Sequence, residues 1–175
     1  MQKNFLGLKR IDHVHFYVRD LKEATRRYIK GFNFHAVAKA IDRSIGITDT
    51  VSCDSVVLNQ NKIAFVFTQP ISPDGPIAEH IDKHGDGIKD VAFLVQDAEI
   101  ALKEAEKRGA RVVVPLQTAG DDKEIFRWGS IAAYGDVVHS FIERNNYRGF
   151  APWYTPVPDK RDWSSEVSLL MIDHV

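Results

Sequence analysis

The chain has 175 residues, 44% of them hydrophobic and 27% charged, with a formal net charge of -1. That balance belongs to a globular protein with a real core, and it supplies no basic surface for nucleic acid or an anionic membrane. No apolar run approaches the roughly 20 residues of a membrane span, Met1-Gln2-Lys3-Asn4 lacks a signal-peptide pattern, and the single Cys53 excludes an internal disulfide and fits a reducing cytoplasm.

The first apolar segment, about Lys9 to Val18, alternates with period two. Val14, Phe16 and Val18 fall on one face and are expected to pack beneath a helix; Ile11, His13, His15 and Tyr17 fall on the other, as the lining of a concave sheet would. Asp20 is placed to cap a helix from Leu21 to Lys30 that ends at Gly31. Its Lys22, Glu23, Arg26, Arg27 and Lys30 lie mostly opposite the apolar stripe and form a solvated face. Strands are predicted over 34–40, 49–58 and 63–67, with Asn59-Gln60-Asn61 as the tight connection between the last two. Cys53 sits on the middle strand as a bystander.

Residues 69–86 read as a linker broken by Pro70, Pro73, Gly75 and Pro76, with one or two helical turns over 77–81. His80 and His84 have the spacing of a ligand pair on a helix. They lack the Glu of a His-Glu-x-x-His arrangement and read as bystanders.

Then the opening returns. Ile88-Lys89-Asp90-Val91-Ala92-Phe93-Leu94-Val95-Gln96-Asp97 lies without a gap over Ile11-Asp12-His13-Val14-His15-Phe16-Tyr17-Val18-Arg19-Asp20, and Ile, Val, Phe, Val and Asp recur. A helix over 98–108 ending at Gly109 follows, then strands over 111–115, 126–132 and 137–144, with turns at 120–123 and 134–136. The fold class is α+β: two βαβββ modules, 8–68 and 87–146, making one domain over 8–146. Residues 147–167, rich in proline and aromatics, read as an extended crossover linker packed by its rings. Residues 168–175 read as the first strand of a further domain, since Ile172-Asp173-His174-Val175 repeats the opening phrase.

Paired βαβββ modules opening on Ile-Asp-His-Val resemble the vicinal oxygen chelate superfamily of glyoxalases, bleomycin-resistance proteins and dioxygenases. The resemblance implies a cupped mixed sheet that holds a divalent metal, with helices on its outer face. More narrowly, His84 to Phe93, Tyr134 to His139, and Glu143-Arg144-Asn145-Asn146-Tyr147 with Gly149-Phe150 resemble the N-terminal half of the 4-hydroxyphenylpyruvate dioxygenase family. Met171 to Val175 resembles the start of that family's C-terminal half. Almost the whole chain is covered, in the family's order. What this implies is a parent enzyme that converts 4-hydroxyphenylpyruvate, a small 2-oxo acid, and O2 to homogentisate and CO2 in tyrosine catabolism. Its Fe(II) is held by two His and one Glu in the C-terminal half. His174 would then be the first of those ligands. No catalytic residue and no stoichiometric metal are expected in this chain, whose partners would be the C-terminal catalytic half and further copies in a homo-oligomer. Hydroxymandelate synthase, which uses the same substrate, is the alternative parent.

The superfamily's ligand positions, carried over by the repeat and by the ending at 144–150, fall on His13, Asp90 and Ser140. His13 suits a transition metal and Asp90 could serve, but serine is a poor ligand. Glu143, three residues beyond Ser140, is expected on the opposite sheet face. The expectation is a module pair that kept its fold and lost its metal site. The alternatives are a stand-alone small-ligand-binding or metal-dependent protein of the same fold.

Overall fold

The computed structural model describes residues 4–43, 52–121, 123–158 and 168–175. In chain order the elements are β1 (Leu8–Tyr17), α1 (Leu21–Phe32), β2 (His35–Arg43), β3 (Cys53–Gln60), β4 (Ile63–Pro70), α2 (Pro76–His84), β5 (Gly87–Val95), α3 (Ala98–Lys107), β6 (Val112–Gly120), β7 (Ile125–Ala132), β8 (Val138–Asn145) and β9 (Thr155–Pro156). Among the described residues this is an α+β chain of nine strands and three helices. The βαβββ order expected from the repeat recurs as β1-α1-β2-β3-β4 and β5-α3-β6-β7-β8. The chain divides into two compact units, Met1–Val14 with Lys89–Pro152 and His15–Ile88 with Trp153–Val175.

In the first unit the strand order is β6-β7-β8-β5-β1, with residues 8–14 as its part of β1. The sheet is mixed: β5 runs parallel to β8, with Phe93 opposite Phe141, while β6-β7 and β7-β8 are antiparallel. Asp97 caps α3 by accepting from the Ile100 amide at 2.8 Å. The helix buries Ala98, Ala101, Leu102 and Ala105, a stripe at helical spacing, against Val95, Phe141, Val112 and Ile131. Small residues let it approach closely. A Cβ on Gly129 of β7 would stand 2.4 Å from Leu102 Cδ1 and 3.1 Å from the Val114 carbonyl.

Strand β6 continues through Pro115 to Gly120, beyond the predicted end at Pro115. It lies at the end of the strand order with β7 as its neighbour. A missing N–H is tolerated on such an edge, and the pairing slips between Val114 and Gln117, around the proline.

In the second unit the order is β1-β4-β3-β2-β9. Asp20 accepts from the Glu23 amide at 2.8 Å and starts α1. The helix ends on Asn33 in the left-handed region (φ 58°), not at Gly31, because the Phe34 amide reaches back to the Tyr28 carbonyl at 3.2 Å and asparagine tolerates that backbone. The core gathers Val18, Leu21, Phe34, Leu58, Ile63 and Phe67, with Tyr28 and Phe65 packed on it. Each such aliphatic or aromatic side chain contributes roughly 1.5–3 kcal/mol by leaving water. Gln60 pairs with Ile63 across the turn, so β3 and β4 join through two residues, with Asn61 at φ 51°.

The linker expected over 69–86 contains the nine-residue α2 rather than one or two turns. Pro76 stands at its start, where a missing N–H costs nothing, and Ile77, Ala78 and Ile81 give it a buried face. Residues 44–51, including the start of the strand expected over 49–58, lie outside the described residues, as do 159–167 of the expected crossover. Residues 168–175 are not a strand in this structure. Their bonds run to the β3–β4 turn instead of a strand edge: Lys62 N–H to the Leu170 carbonyl at 3.1 Å, Leu169 N–H to Gln60 Oε1 at 3.2 Å.

Candidate functional site

His13, Asp90 and Ser140 all belong to the first unit, on β1, β5 and β8. Asp90 is fully buried. Its Oδ1 accepts the Ser140 amide at 3.0 Å and its Oδ2 accepts the Ser140 hydroxyl. A hydroxyl has one proton to give. With the Ser140 hydroxyl donating to Asp90, the Ser130 hydroxyl is the donor in the 2.7 Å contact with Ser140. Burial pushes the Asp90 carboxyl above its ordinary pKa; the charge of His13 and the bonds from Ser140 offset this only in part.

A second chain of contacts holds His13. Its Nδ1 lies 2.9 Å from Asp12 Oδ2, and its ring meets Phe150 edge-on at 5.1 Å. Asp12, with its side chain 3% exposed, is ion-paired to Arg144. Arg144 also donates to the Phe150 carbonyl through Nε and Nη2, at 3.3 and 2.8 Å. Burial alone would raise the Asp12 carboxyl. The hydrogen bond from His13 and the Arg144 charge outweigh it and hold the group well below the usual carboxylate range. Because Asp12 is ionised, the shared proton sits on Nδ1 of His13.

A transition metal needs several converging lone pairs and an open position for water or substrate. Here both Asp90 oxygens already accept from Ser140, the Ser140 hydroxyl is directed at Asp90, and His13 is turned to Asp12 by Nδ1. Among the described residues, no three His, Cys, Asp or Glu ligand atoms converge on a point that includes His13, Asp90 or His174. These residues do not fit a metal ion. Glu143 offers no substitute. Its Oε2 accepts the Ala98 amide at the start of α3 at 2.9 Å, and its Oε1 accepts from Asn145 at 2.7 Å. It shares the helix-bearing face with Phe141, as the odd offset from Ser140 requires. His174 is 91% exposed, with Nδ1 3.1 Å from Asp173. His80 and His84 do share one face of α2, ring centroids 4.7 Å apart, and His80 packs edge-on against Tyr17 at 5.3 Å.

The second unit has its own buried polar chain. His15 Nε2 lies 2.7 Å from Thr68 Oγ1, Thr68 lies 2.8 Å from Ser55 Oγ, and Ser55 lies 2.7 Å from the hydroxyl of Tyr154. Burial pushes the Tyr154 hydroxyl pKa well up, and burial, with Asp54 nearby, pushes the Cys53 thiol to about 11. Sequence reasoning placed His15 on a polar lining but missed Asp12, Ser130, Arg144, Thr68 and Tyr154 as its partners and those of its neighbours. Asp12 stood in the repeated phrase and Arg144 in the motif at 143–150; their pairing across the chain left no local signal.

Fold and site together define the class. The chain belongs to the Glyoxalase/Bleomycin resistance protein/Dioxygenase superfamily, which it matches over residues 12–126. Within it the chain is similar to 4-hydroxyphenylpyruvate dioxygenases. It is 36% identical to that of Danio rerio over 146 residues, 81% of this chain and 36% of the relative. Against the Caenorhabditis briggsae protein the identity is 34%, with 84% and 37% covered; against that of Aspergillus fumigatus it is 34%, with 99% and 47% covered. The chain thus spans less than half the length of the curated relatives it matches. Among solved structures, a mutant 4-hydroxymandelate synthase from Streptomyces coelicolor shares the fold with a TM-score of 0.71 at 23% identity, over 87% of this chain and 43% of that one. A methylmalonyl-CoA epimerase from Mycobacterium tuberculosis shares it with a TM-score of 0.64 at 22% identity, over 82% and 92%.

Proposed function

We propose that this chain is the N-terminal half of a 4-hydroxyphenylpyruvate dioxygenase-like enzyme and serves as the scaffold for a catalytic half that follows it. One observation carries the reading: the similarity to these dioxygenases covers 81–99% of this chain and only 36–47% of the relatives' length. The spent donors at His13, Asp90 and Ser140 agree with it, since a half that performs no metal chemistry is free to close its ligand positions. On this reading Fe(II), O2 and the 2-oxo acid belong to the other half, in a homo-oligomeric cytoplasmic enzyme of tyrosine catabolism, and His174 is the first ligand of its iron.

The test has two arms. The genomic reading frame is expected to continue past Val175 into a segment with a second His and a Glu, and the chain alone is expected to show no oxygen uptake with 4-hydroxyphenylpyruvate and Fe(II). A stop codon directly after Val175, or one equivalent of tightly held iron on the purified chain, overturns the proposal.

A further inference from the structure

The first unit also holds a cavity of about 490 Å3 that the proposed role does not use. That is the size of a small-molecule site. Phe5 and Ile100 line it and are 46% and 58% exposed. The Arg108 guanidinium lies 4.2 Å over the Phe5 ring and ties it to α3. The adjoining lip is held in shape. Asn4 donates to the Leu8 carbonyl at 2.9 Å and accepts its amide at 3.1 Å, while the Gly7 carbonyl accepts the Gln96 amide at 3.0 Å. Gly7 takes a left-handed backbone (φ 62°) beside Gln96 Cβ, which a side chain at 7 would press at 3.3 Å.

Charges of both signs line the same cavity. Arg127 of β7 stands opposite Glu143 of β8, with 3.6 Å between the charged atoms, longer than a direct hydrogen bond. Glu143 already accepts one bond on each oxygen, from Ala98 and Asn145, and makes no direct hydrogen bond with Arg127. Arg127, with five N–H donors, keeps capacity for an incoming anion. Asp97 caps α3 with one lone pair on Oδ1, and a carboxylate has about four such positions. It can therefore accept a cation without uncapping the helix. The lining carries one positive and two negative charges, which disfavours phosphates and dicarboxylates. A simple monocarboxylate would meet Arg127 but face Asp97 unpaired; a simple amine would do the reverse.

We propose that this cavity binds a free α-amino acid with an apolar or aromatic side chain. Its carboxylate pairs with Arg127, its ammonium with Asp97, and its side chain lies on Phe5 and Ile100. The probes are phenylalanine, phenylpyruvate and 2-phenylethylamine, titrated into the 175-residue chain by calorimetry or ligand-observed NMR. Phenylalanine is expected to bind at least about tenfold more tightly than either analogue, about 1.4 kcal/mol per lost partner. Asp97→Asn keeps the helix cap, since asparagine caps as well as aspartate, and is expected to abolish the preference over phenylpyruvate. Ile100→Glu, at an exposed position, is expected to weaken phenylalanine by a similar factor while leaving the melting temperature unchanged. Absence of saturable phenylalanine binding up to about 10 mM, equal binding of phenylpyruvate, or an Asp97→Asn variant with unchanged selectivity overturns the proposal. None of these readouts requires turnover, so their outcome is separate from that of the assigned role.

Discussion

Replacing Arg144 with Met tests whether the closed polar network stabilises the first unit. Arg144 compensates Asp12, a carboxylate whose side chain is 3% exposed, while its own side chain is 17% exposed. Removing one partner of a buried pair costs about 3–5 kcal/mol, because the remaining charge stays buried. His13 still bonds Asp12, which favours the lower end, and the two bonds to the Phe150 carbonyl add about 1 kcal/mol. The expected loss is therefore about 3–4 kcal/mol, a large share of the roughly 5–15 kcal/mol of a typical domain. Urea unfolding of the wild type, Arg144→Met, Asp12→Asn and the double variant measures it, and the double-mutant cycle isolates the pair. Acid supplies an independent check. The Asp12 carboxyl is depressed in the fold, so its stabilisation is fully present above the unfolded pKa of about 3.9 and is lost as pH falls toward the lower folded value. The variant should lose less stability across that acidic window than the wild type. A loss below about 1 kcal/mol with negligible coupling would refute the reasoning.

Asp90→Asn is expected to change stability at neutral pH by no more than about 1 kcal/mol, since the amide can accept the Ser140 N–H and donate to its hydroxyl, which then turns to Ser130. The Asp90 carboxyl is raised in the fold, so its contribution is present below the unfolded pKa and lost as pH rises through the folded one; thermal melts should show that decline removed in the variant. Gly129→Ala should cost about 1–3 kcal/mol in chemical unfolding, because its methyl would strike Leu102 and the Val114 carbonyl; a neutral result would mean that Leu102 moves aside. Tyr154→Phe removes one hydroxyl from the Ser55–Thr68 chain and should cost about 1 kcal/mol by the same measurement, because Ser55 keeps Thr68 and the Phe67 carbonyl as partners.

The parts of the fold that were legible in the sequence are those with a local cause. Asp20 and Asp97 cap their helices because each precedes an amphipathic run, and the gapless repeat gave the element order of both modules. The extension of β6 past Pro115 was not legible, since a proline reads as a strand end unless the strand is known to lie at an edge. The length of α2 was hidden for a related reason: Pro76 looks like a breaker until its position at the first turn is known. The partners of the site were further out of reach. Arg144 reaches Asp12 across 132 positions and Tyr154 reaches Ser55 across 99, and no periodicity reports a pairing at that range. The charged partners gave only a compositional hint, an acid beside a histidine and a cation in a polar ending.

The identity of residue 140 explains why the polar groups at 13, 90 and 140 form a closed network. A buried carboxylate at Asp90 without a cation beside it is costly and must find donors. A glutamate at 140 would have set a second negative charge against the first, and one of the two would have been driven to protonate. Serine removes that charge and adds a hydroxyl donor to the backbone amide that already bonds Asp90, while the Ser130 hydroxyl donates to Ser140. His13 acts favourably on Asp90 from the β1 side, with its Nδ1 turned to Asp12, which is itself paired with Arg144. The three side chains are thus engaged with near neighbours and with one another, and not directed at a common point. A single substitution toward a ligand would therefore oppose the whole network, and installing a metal here would require freeing Asp90 and His13 together.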